Sequence, residues 1–149
     1  MQSVSKIAVL LALGLALVMA DNCGGNCPSG NCKQCICPAP TYTDIAAACA
    51  RWSGWSQSCC ECIVKHESGG NTHAQLWDSD GSNDIGLWQI NSVNWGQCNG
   101  GNAPCDVNSN FECAKKIFGW GGNSWRLWST CSACGCCGHG FLQAEETLQ

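Results

Sequence analysis

Two acidic residues, Glu67 and Asp84, stand in segments of contrasting polarity. Glu67 ends a short helical pattern, CIVKHE, in which Ile63 and Val64 are available for a core. Partial burial disfavours the charged form of a carboxyl group, so we expect Glu67 to hold a proton that it can donate. Asp84 follows polar residues in DGSNDIG, and we expect it to stay ionised. Two carboxyl groups in different protonation states are what glycoside hydrolysis requires.

Helical patterns lie on both sides of this pair. An alanine-rich helix is predicted over IAAACARW, with Thr43 or Asp44 as its N-cap. A second helix should run from about Ser58 to Glu67. Helical periodicity returns over residues 110–118, and SWRLWSTC is expected to add a last helical turn or two.

Residues 71–92 separate the first two helices from the later one and have the character of a small antiparallel sheet. Asp80 and Gly81 form a strong tight-turn signal, and LWQI after them is predicted to be a strand. The predicted fold class is therefore α+β, with a helical lobe, a small sheet lobe and a cleft between them.

Four segments resemble the C-type (chicken-type) lysozyme family: HES, DGSNDIGLWQINS, CAKKIF and NSWRLWSTC, in that order. The resemblance covers roughly residues 59–131, and the interval from Glu67 to Asp84 is the family's own spacing between its catalytic carboxylates. It implies a disulfide-rich, lysozyme-like fold and hydrolysis of the β-1,4 bond between N-acetylmuramic acid and N-acetylglucosamine. It also implies that Glu67 acts as general acid and base, and that Asp84 acts as nucleophile or cation stabiliser.

The same resemblance implies four substrate-binding residues. Trp125 is expected in the cleft against the catalytic glutamate, with Trp128 in the core. Trp95 offers an indole face on which a sugar ring can stack. Gln89 and Asn91 match amides that face the cleft, although hydrogen bonding within the scaffold would account for these amides equally well.

Asp78 departs from the family, which commonly has an asparagine at this position. If Asp78 lies close to Asp84, like-charge repulsion raises the proton affinity of one of the two carboxyl groups. If it points to solvent, it has no such effect, and a loop position favours solvent.

The apolar run at residues 7–20, behind Lys6, is typical of a secretory signal peptide and short for a membrane anchor. We therefore expect a secreted protein, either extracellular or delivered to a digestive or phagosomal vacuole. The predicted organisation is a signal peptide (1–20), a cysteine-rich segment (21–40), a lysozyme-like catalytic domain (41–138) and a C-terminal tail (139–149).

The chain has 16 cysteines, all after the predicted cleavage site. An even, dense set in a small secreted chain predicts disulfides rather than zinc ligands. The resemblance implies a Cys62–Cys131 bridge, and we expect two of Cys98, Cys105 and Cys113 to pair locally. The cysteine-rich segment is interpreted as a stabilising clip, with a miniature sugar-binding module as the alternative.

The formal net charge is −4, and loss of Lys6 makes it one unit more negative. This argues against nucleic-acid binding and against a basic membrane-disrupting peptide. It also predicts repulsion from anionic bacterial walls at neutral pH, so we expect maximal activity on the acidic side.

No cofactor and no metal site is predicted. His66 and His73 lack a further ligand at a suitable spacing, and the acidic run from Asp106 to Glu112 has Phe111 where a calcium loop needs glycine. The expected partner is peptidoglycan, with chitin oligosaccharides as a second possible substrate. We expect a monomer with no membrane contact after signal removal.

Two other functions fit parts of the pattern. A lytic transglycosylase needs only the glutamate, whereas Asp84 at the hydrolase spacing favours hydrolysis. A catalytically silent, glycan-binding relative would typically lack one carboxylate, and this chain keeps both.

Overall fold

A computed structural model describes residues 22–138 of the chain. The predicted signal peptide and C-terminal tail lie outside the described residues. Within 22–138 there are four α-helices, Ile45–Cys49 (α1), Gln57–Glu67 (α2), Trp95–Cys98 (α3) and Val107–Trp120 (α4). Short 3-10 turns cover Cys23–Gly25, Ser92–Asn94 and Ser129–Cys131. The α+β class predicted from the sequence is confirmed.

Side-chain N-caps stabilise the first turns of α1, α2 and α4. Asp44 caps α1 by accepting a hydrogen bond from the Ala47 backbone N–H at 2.7 Å. Ser56 caps α2, which begins one residue earlier than predicted. Asp106 caps α4 by accepting from two backbone N–H groups, both at 2.9 Å. Such a cap stabilises a helix by about 1 kcal/mol, so these residues decide where the helices begin.

The sheet has three antiparallel strands, Gln75–Trp77 (β1), Asn83–Ile85 (β2) and Ile90–Asn91 (β3), in that spatial order. The turn between β1 and β2 confirms the predicted turn: Gly81 has φ +90° and its N–H donates to the Asp78 carbonyl at 3.0 Å. Asp84 lies in the central strand, opposite Leu76 on one side and Asn91 on the other.

The predicted strand over LWQI is wrong except at its last residue. Leu87 and Trp88 lie in a turn between β2 and β3, and both are fully buried in the helical core. Positive φ angles at Gly86 (+82°) and Gln89 (+48°) turn the chain out of the sheet and back again. The burial of a leucine and a tryptophan therefore outweighs continued strand pairing.

The segment SWRLWSTC is not a helix. Its turns close by bonds to the third residue back, from the Trp128 N–H to the Trp125 carbonyl (2.9 Å) and from the Cys131 N–H to the Trp128 carbonyl (3.1 Å). Only Ser129–Cys131 forms a 3-10 turn. This tighter spacing brings both tryptophans against the core.

Aromatic rings form the centre of the helical lobe. Trp55 is 1% exposed, and its ring centroid lies 5.1 Å from that of Trp125, 5.7 Å from Phe111 and 5.8 Å from Trp88. Its indole N–H donates to the Cys49 carbonyl at 3.0 Å, so the ring is buried without losing its hydrogen bond. The core thus joins the α1–α2 connection, α4 and the segment after α4.

All 16 cysteines are paired, and the predicted Cys62–Cys131 bridge is wrong. Cys62 pairs with Cys134, and Cys131 closes a short loop with Cys137. Cys59 and Cys62 are three residues apart on α2 and therefore share a face, so they reach neighbouring cysteines of residues 134–136. Two bridges therefore tie α2 to residues 134–136, beyond the predicted partner Cys131.

The other five bridges connect the remaining parts of the chain. Local pairing of Cys98 with Cys113 confirms the prediction for that region. These five are Cys23–Cys35, Cys27–Cys32, Cys37–Cys105, Cys49–Cys60 and Cys98–Cys113. Cys37–Cys105 links the cysteine-rich segment to the loop before α4.

We predict that removing the Cys37–Cys105 bridge, by replacing both cysteines with serine, lowers the free energy of unfolding more than removing Cys131–Cys137. The two bridges span 68 and 6 residues. The chain-entropy estimate for the longer loop is about 4 kcal/mol, an upper value because other bridges already shorten it. Urea unfolding of both double variants measures the difference, and equal losses would contradict the loop-length argument.

Candidate active site

Glu67 and Asp84 line the same pocket. The C-terminal end of α2 carries Glu67 and the central strand β2 carries Asp84, so the pocket lies where the two lobes meet. Its volume is about 220 Å³. The lining residues are Glu67, Asp84, Gln89, Ile90, Asn91, Asn94, Ile117, Leu127, Trp128 and Ser129.

Glu67 behaves as the sequence predicts. Burial raises the pKa of its carboxyl group above the ordinary value, while a hydrogen bond from Thr130 and the nearby His66 oppose that rise. The Thr130 hydroxyl donates to Glu67 Oε1 at 2.5 Å. The proton affinity of Glu67 is therefore increased, and its position is held by a residue of the segment after α4.

Asp84 differs from the prediction that it stays ionised. Burial, followed by the negative charge of Asp78, raises the pKa of Asp84 to about 7, and a hydrogen bond from Asn91 opposes the rise. The polar neighbours supply little stabilisation of the carboxylate because they bond to one another. The Asn91 amide, for example, donates to Ser82 Oγ at 2.9 Å. Asp84 thus titrates near neutrality.

Asp78 does not point to solvent. Its Oδ2 accepts hydrogen bonds from Ser82 Oγ at 3.1 Å and from Asn91 Nδ2 at 3.4 Å. Because Asn91 is also a hydrogen-bond partner of Asp84, the two aspartates share one polar network. The alternative in which like-charge repulsion raises the proton affinity of a carboxyl group therefore applies, and the affected group is Asp84.

The prediction that Trp125 lies in the cleft is wrong, whereas Trp128 is buried in the core as expected and also lines the pocket. Trp125 is 0% exposed and packs between Trp55 and Phe118, with both centroid distances 5.1 Å, and it does not line the pocket. Trp128 lines the pocket, and its indole N–H donates to the Trp88 carbonyl at 2.9 Å. The apolar wall beside the carboxyl groups is therefore Trp128.

The other predicted substrate-binding residues have internal partners. The Trp95 N–H donates to the Ile90 carbonyl at 3.0 Å, and its neighbour Asn94 lines the pocket in its place. Gln89 lines the pocket while its Nε2 donates to the Ala74 and Gly86 carbonyls at 3.0 and 2.9 Å. These amides hold the scaffold, and their contacts with substrate stay predictions.

Several lining residues were not singled out from the sequence. Ile117, Leu127 and Ser129 face the pocket, and Thr130 bonds to the glutamate. The segments CAKKIF and NSWRLWSTC contain these residues and matched the family as blocks, without indicating which side chains face the cleft.

Cys62, His66 and Cys134 bring three potential metal-ligating atoms within 4.8 Å of one another. The two sulfur atoms are joined in a disulfide, so neither is a thiolate able to bind zinc. We assign no metal to this group.

A helical lobe and a three-stranded sheet with two carboxyl groups in the cleft between them define a lysozyme-like protein. The family model described as a lysozyme like domain matches residues 62–130. Lysozyme C of Crax fasciolata is 36% identical over 110 residues, which cover 59% of this chain and 84% of that protein. The chain therefore belongs to the C-type lysozyme family. Within residues 22–138, no helix is both long and apolar enough to span a bilayer.

We predict that Asp84→Asn stabilises the protein at pH 8 and not at pH 3. The folded pKa of about 7 lies above the ordinary value of 3.8, so stability is lost as pH rises between these values. Asparagine does not ionise, so the Asp84→Asn variant does not lose this stability at high pH. Thermal unfolding at both pH values measures the effect. Asp80→Asn is the matched control, because the pKa of Asp80 is lowered and its replacement should not stabilise at pH 8.

We also predict that Asp78→Asn lowers the pKa of Asp84, because it removes the largest repulsive charge acting on that carboxyl group. Carbon-13 NMR titration of the aspartate carboxyl groups follows this directly. Asp80→Asn should shift Asp84 less, since the charge of Asp80 is the weakest of the influences on it. An unchanged Asp84 titration in the Asp78 variant would mean that burial alone sets its pKa.

Proposed function

We propose that this protein is a secreted, bacteriolytic glycoside hydrolase that cleaves the β-1,4 bond between N-acetylmuramic acid and N-acetylglucosamine. One observation carries the proposal: Glu67 and Asp84 line a single pocket, and burial there raises the pKa of Glu67. Membership of the C-type lysozyme family, with its relative Lysozyme C, supports the same reaction.

In the proposed mechanism, Glu67 donates its proton to the glycosidic oxygen as the C–O bond breaks. Asp84, in its ionised form, attacks the anomeric carbon or stabilises the cationic sugar. Glu67, now a carboxylate, removes a proton from the incoming water, which completes hydrolysis. Trp128 and Ile117 supply apolar surface beside the two carboxyl groups, and apolar surroundings favour the protonated glutamate.

The competent form of the site holds one proton, on Glu67. The two carboxyl groups repel each other's charge, so their protons are lost in two steps that belong to the pair. The pKa of Asp84 is raised to about 7. Activity should therefore begin to fall when the pH is lowered through neutrality, because Asp84 becomes protonated. Protonation of Asp84 therefore opposes the maximum on the acidic side that net charge alone predicts.

The alternative of a lytic transglycosylase predicts different products. Hydrolysis leaves reducing muramic acid, whereas transglycosylation leaves its anhydro form. Asp84 in the same pocket as Glu67 favours hydrolysis, because the second carboxylate has a role only in that reaction. Analysis of the released sugar ends distinguishes the two.

The proposed setting is outside the cell or in a digestive or phagosomal vacuole, with the protein acting as a monomer on peptidoglycan. Eight disulfides within residues 22–138 are consistent with an oxidising compartment. The net negative charge predicts that added salt aids encounter with anionic walls at pH 7.

We predict that Glu67→Gln abolishes lysis of bacterial walls and that Asp84→Asn lowers it strongly, since the first removes the proton donor and the second the anionic partner of the sugar cation. A turbidity assay across pH measures this. Glu112→Gln, on the exposed side of α4, is the matched control and should keep wild-type activity. Near-normal lysis by folded Glu67→Gln would contradict the assignment.

A further inference from the structure

A second cavity continues the cleft beyond the carboxyl pair. Its volume is about 520 Å³, and it shares Glu67, Gln89 and Ser129 with the first pocket. Part of its wall comes from the cysteine-rich segment, through Gly25, Pro28 and Ser29. This segment lies outside residues 62–130, which match the family model.

The cysteine-rich segment is held firmly against β1. Gln75 is only 2% exposed. Its Nε2 donates to the Gln34 carbonyl at 2.7 Å, and its Oε1 accepts from the Ile36 N–H at 3.1 Å. The Gln75 backbone N–H donates to the Asn26 carbonyl at 2.7 Å. The Asn71 amide donates to the Asn26 side chain at 3.0 Å. Buried hydrogen bonds of this kind give the wall a defined position.

The proposed roles of the two carboxyl groups assign the second cavity to the leaving-group side of the scissile bond. It contains Glu67, the proposed proton donor to the leaving oxygen, and does not contain Asp84, the proposed partner of the anomeric carbon. A sugar chain placed across both pockets therefore has its leaving portion in the second cavity. This assignment of direction rests on the proposed function.

The lining favours an uncharged sugar. Tyr42 presents a ring that is 69% exposed, and Ser29 and Ser68 provide hydroxyl groups. A ring face with nearby hydrogen-bonding groups suits a pyranose. The described residues lining this cavity include one histidine, His66, and no lysine or arginine, so permanent positive charge is missing from this lining. In the proposed reaction the leaving sugar is N-acetylglucosamine, which is uncharged.

We propose that the cysteine-rich segment, with Tyr42, forms one wall of a leaving-group binding site for N-acetylglucosamine units. The segment thereby acts in substrate binding as well as in stabilising the fold. Tyr42 supplies the stacking surface, and Gly25, Pro28 and Ser29 supply the neighbouring part of the wall.

The kinetic test compares two substrates. Tyr42→Ala should lower kcat/KM roughly threefold to tenfold for N-acetylglucosamine hexasaccharide, the size expected for loss of one stacking contact. The loss should be smaller for a nitrophenyl tetrasaccharide, because its leaving group carries no sugar for the cavity to bind. Tyr42→Phe keeps the ring and should keep both rates. Trp120→Ala, at an exposed ring that lines neither pocket, is the unaffected control.

A binding test is independent of catalysis. The chain has a single tyrosine, so labelling with nitrogen-15 tyrosine gives one amide signal, from Tyr42. Titration of Glu67→Gln protein with N-acetylglucosamine trisaccharide should shift this signal and, in uniformly labelled protein, those of Gly25 and Ser29. Unmoved signals would overturn the proposed wall, as would equal losses on both substrates in Tyr42→Ala. Wild-type protein that fails to lyse bacterial walls and cleaves neither oligosaccharide would refute the hydrolase function, while the titration would still decide whether the wall binds sugar.

Discussion

One buried amide, that of Asn110, fixes the strand that carries Asp84. Asn110 is 0% exposed, and its Nδ2 donates to the Ile85 carbonyl at 2.8 Å and to the Pro104 carbonyl at 2.9 Å. Its Oδ1 accepts from the Trp88 N–H at 2.9 Å. A helix of the α lobe thereby holds the chain directly after Asp84, and loss of such a satisfied buried group costs about 1–3 kcal/mol.

The close approach of the Asn110 amide requires a glycine at position 86, directly after β2. A Cβ atom at Gly86 would lie 2.3 Å from Asn110 Nδ2, and Gly86 has φ +82°, so only glycine suits the position. The turn that follows then sends Leu87 and Trp88 into the helical core. The position of Asp84 therefore depends on packing in the other lobe.

Features determined by neighbouring residues could be predicted from the sequence. The cap at Asp44, the turn at Gly81 and the extent of α2 all follow from local chemistry, and the structure confirms them. Glu67 and Asp84 line one pocket. We expected this because the interval between them along the chain matches that between the catalytic carboxylates of the family, whereas composition alone does not indicate it.

Features that depend on distant packing could not be predicted in the same way. Periodicity places Trp125 and Trp128 on one face but does not say which of them borders the cleft. Their order follows from the ring contacts of Trp55 and Phe118 with Trp125. The pKa of Asp84 likewise depends on burial and on where the Asp78 side chain points, and neither is visible in a pattern of polar neighbours.

The arrangement of cross-links has a consequence for proteolysis. From Cys37 to Cys137, every peptide bond lies inside at least one disulfide-closed loop, because the Cys37–Cys105 and Cys59–Cys136 loops overlap. A single cut by a protease anywhere in that stretch leaves the two fragments covalently joined. A cut at the short connection between Cys35 and Cys37 is different, since no bridge encloses it. Nicking there would leave residues 22–35 with no covalent link to the cross-linked body that begins at Cys37.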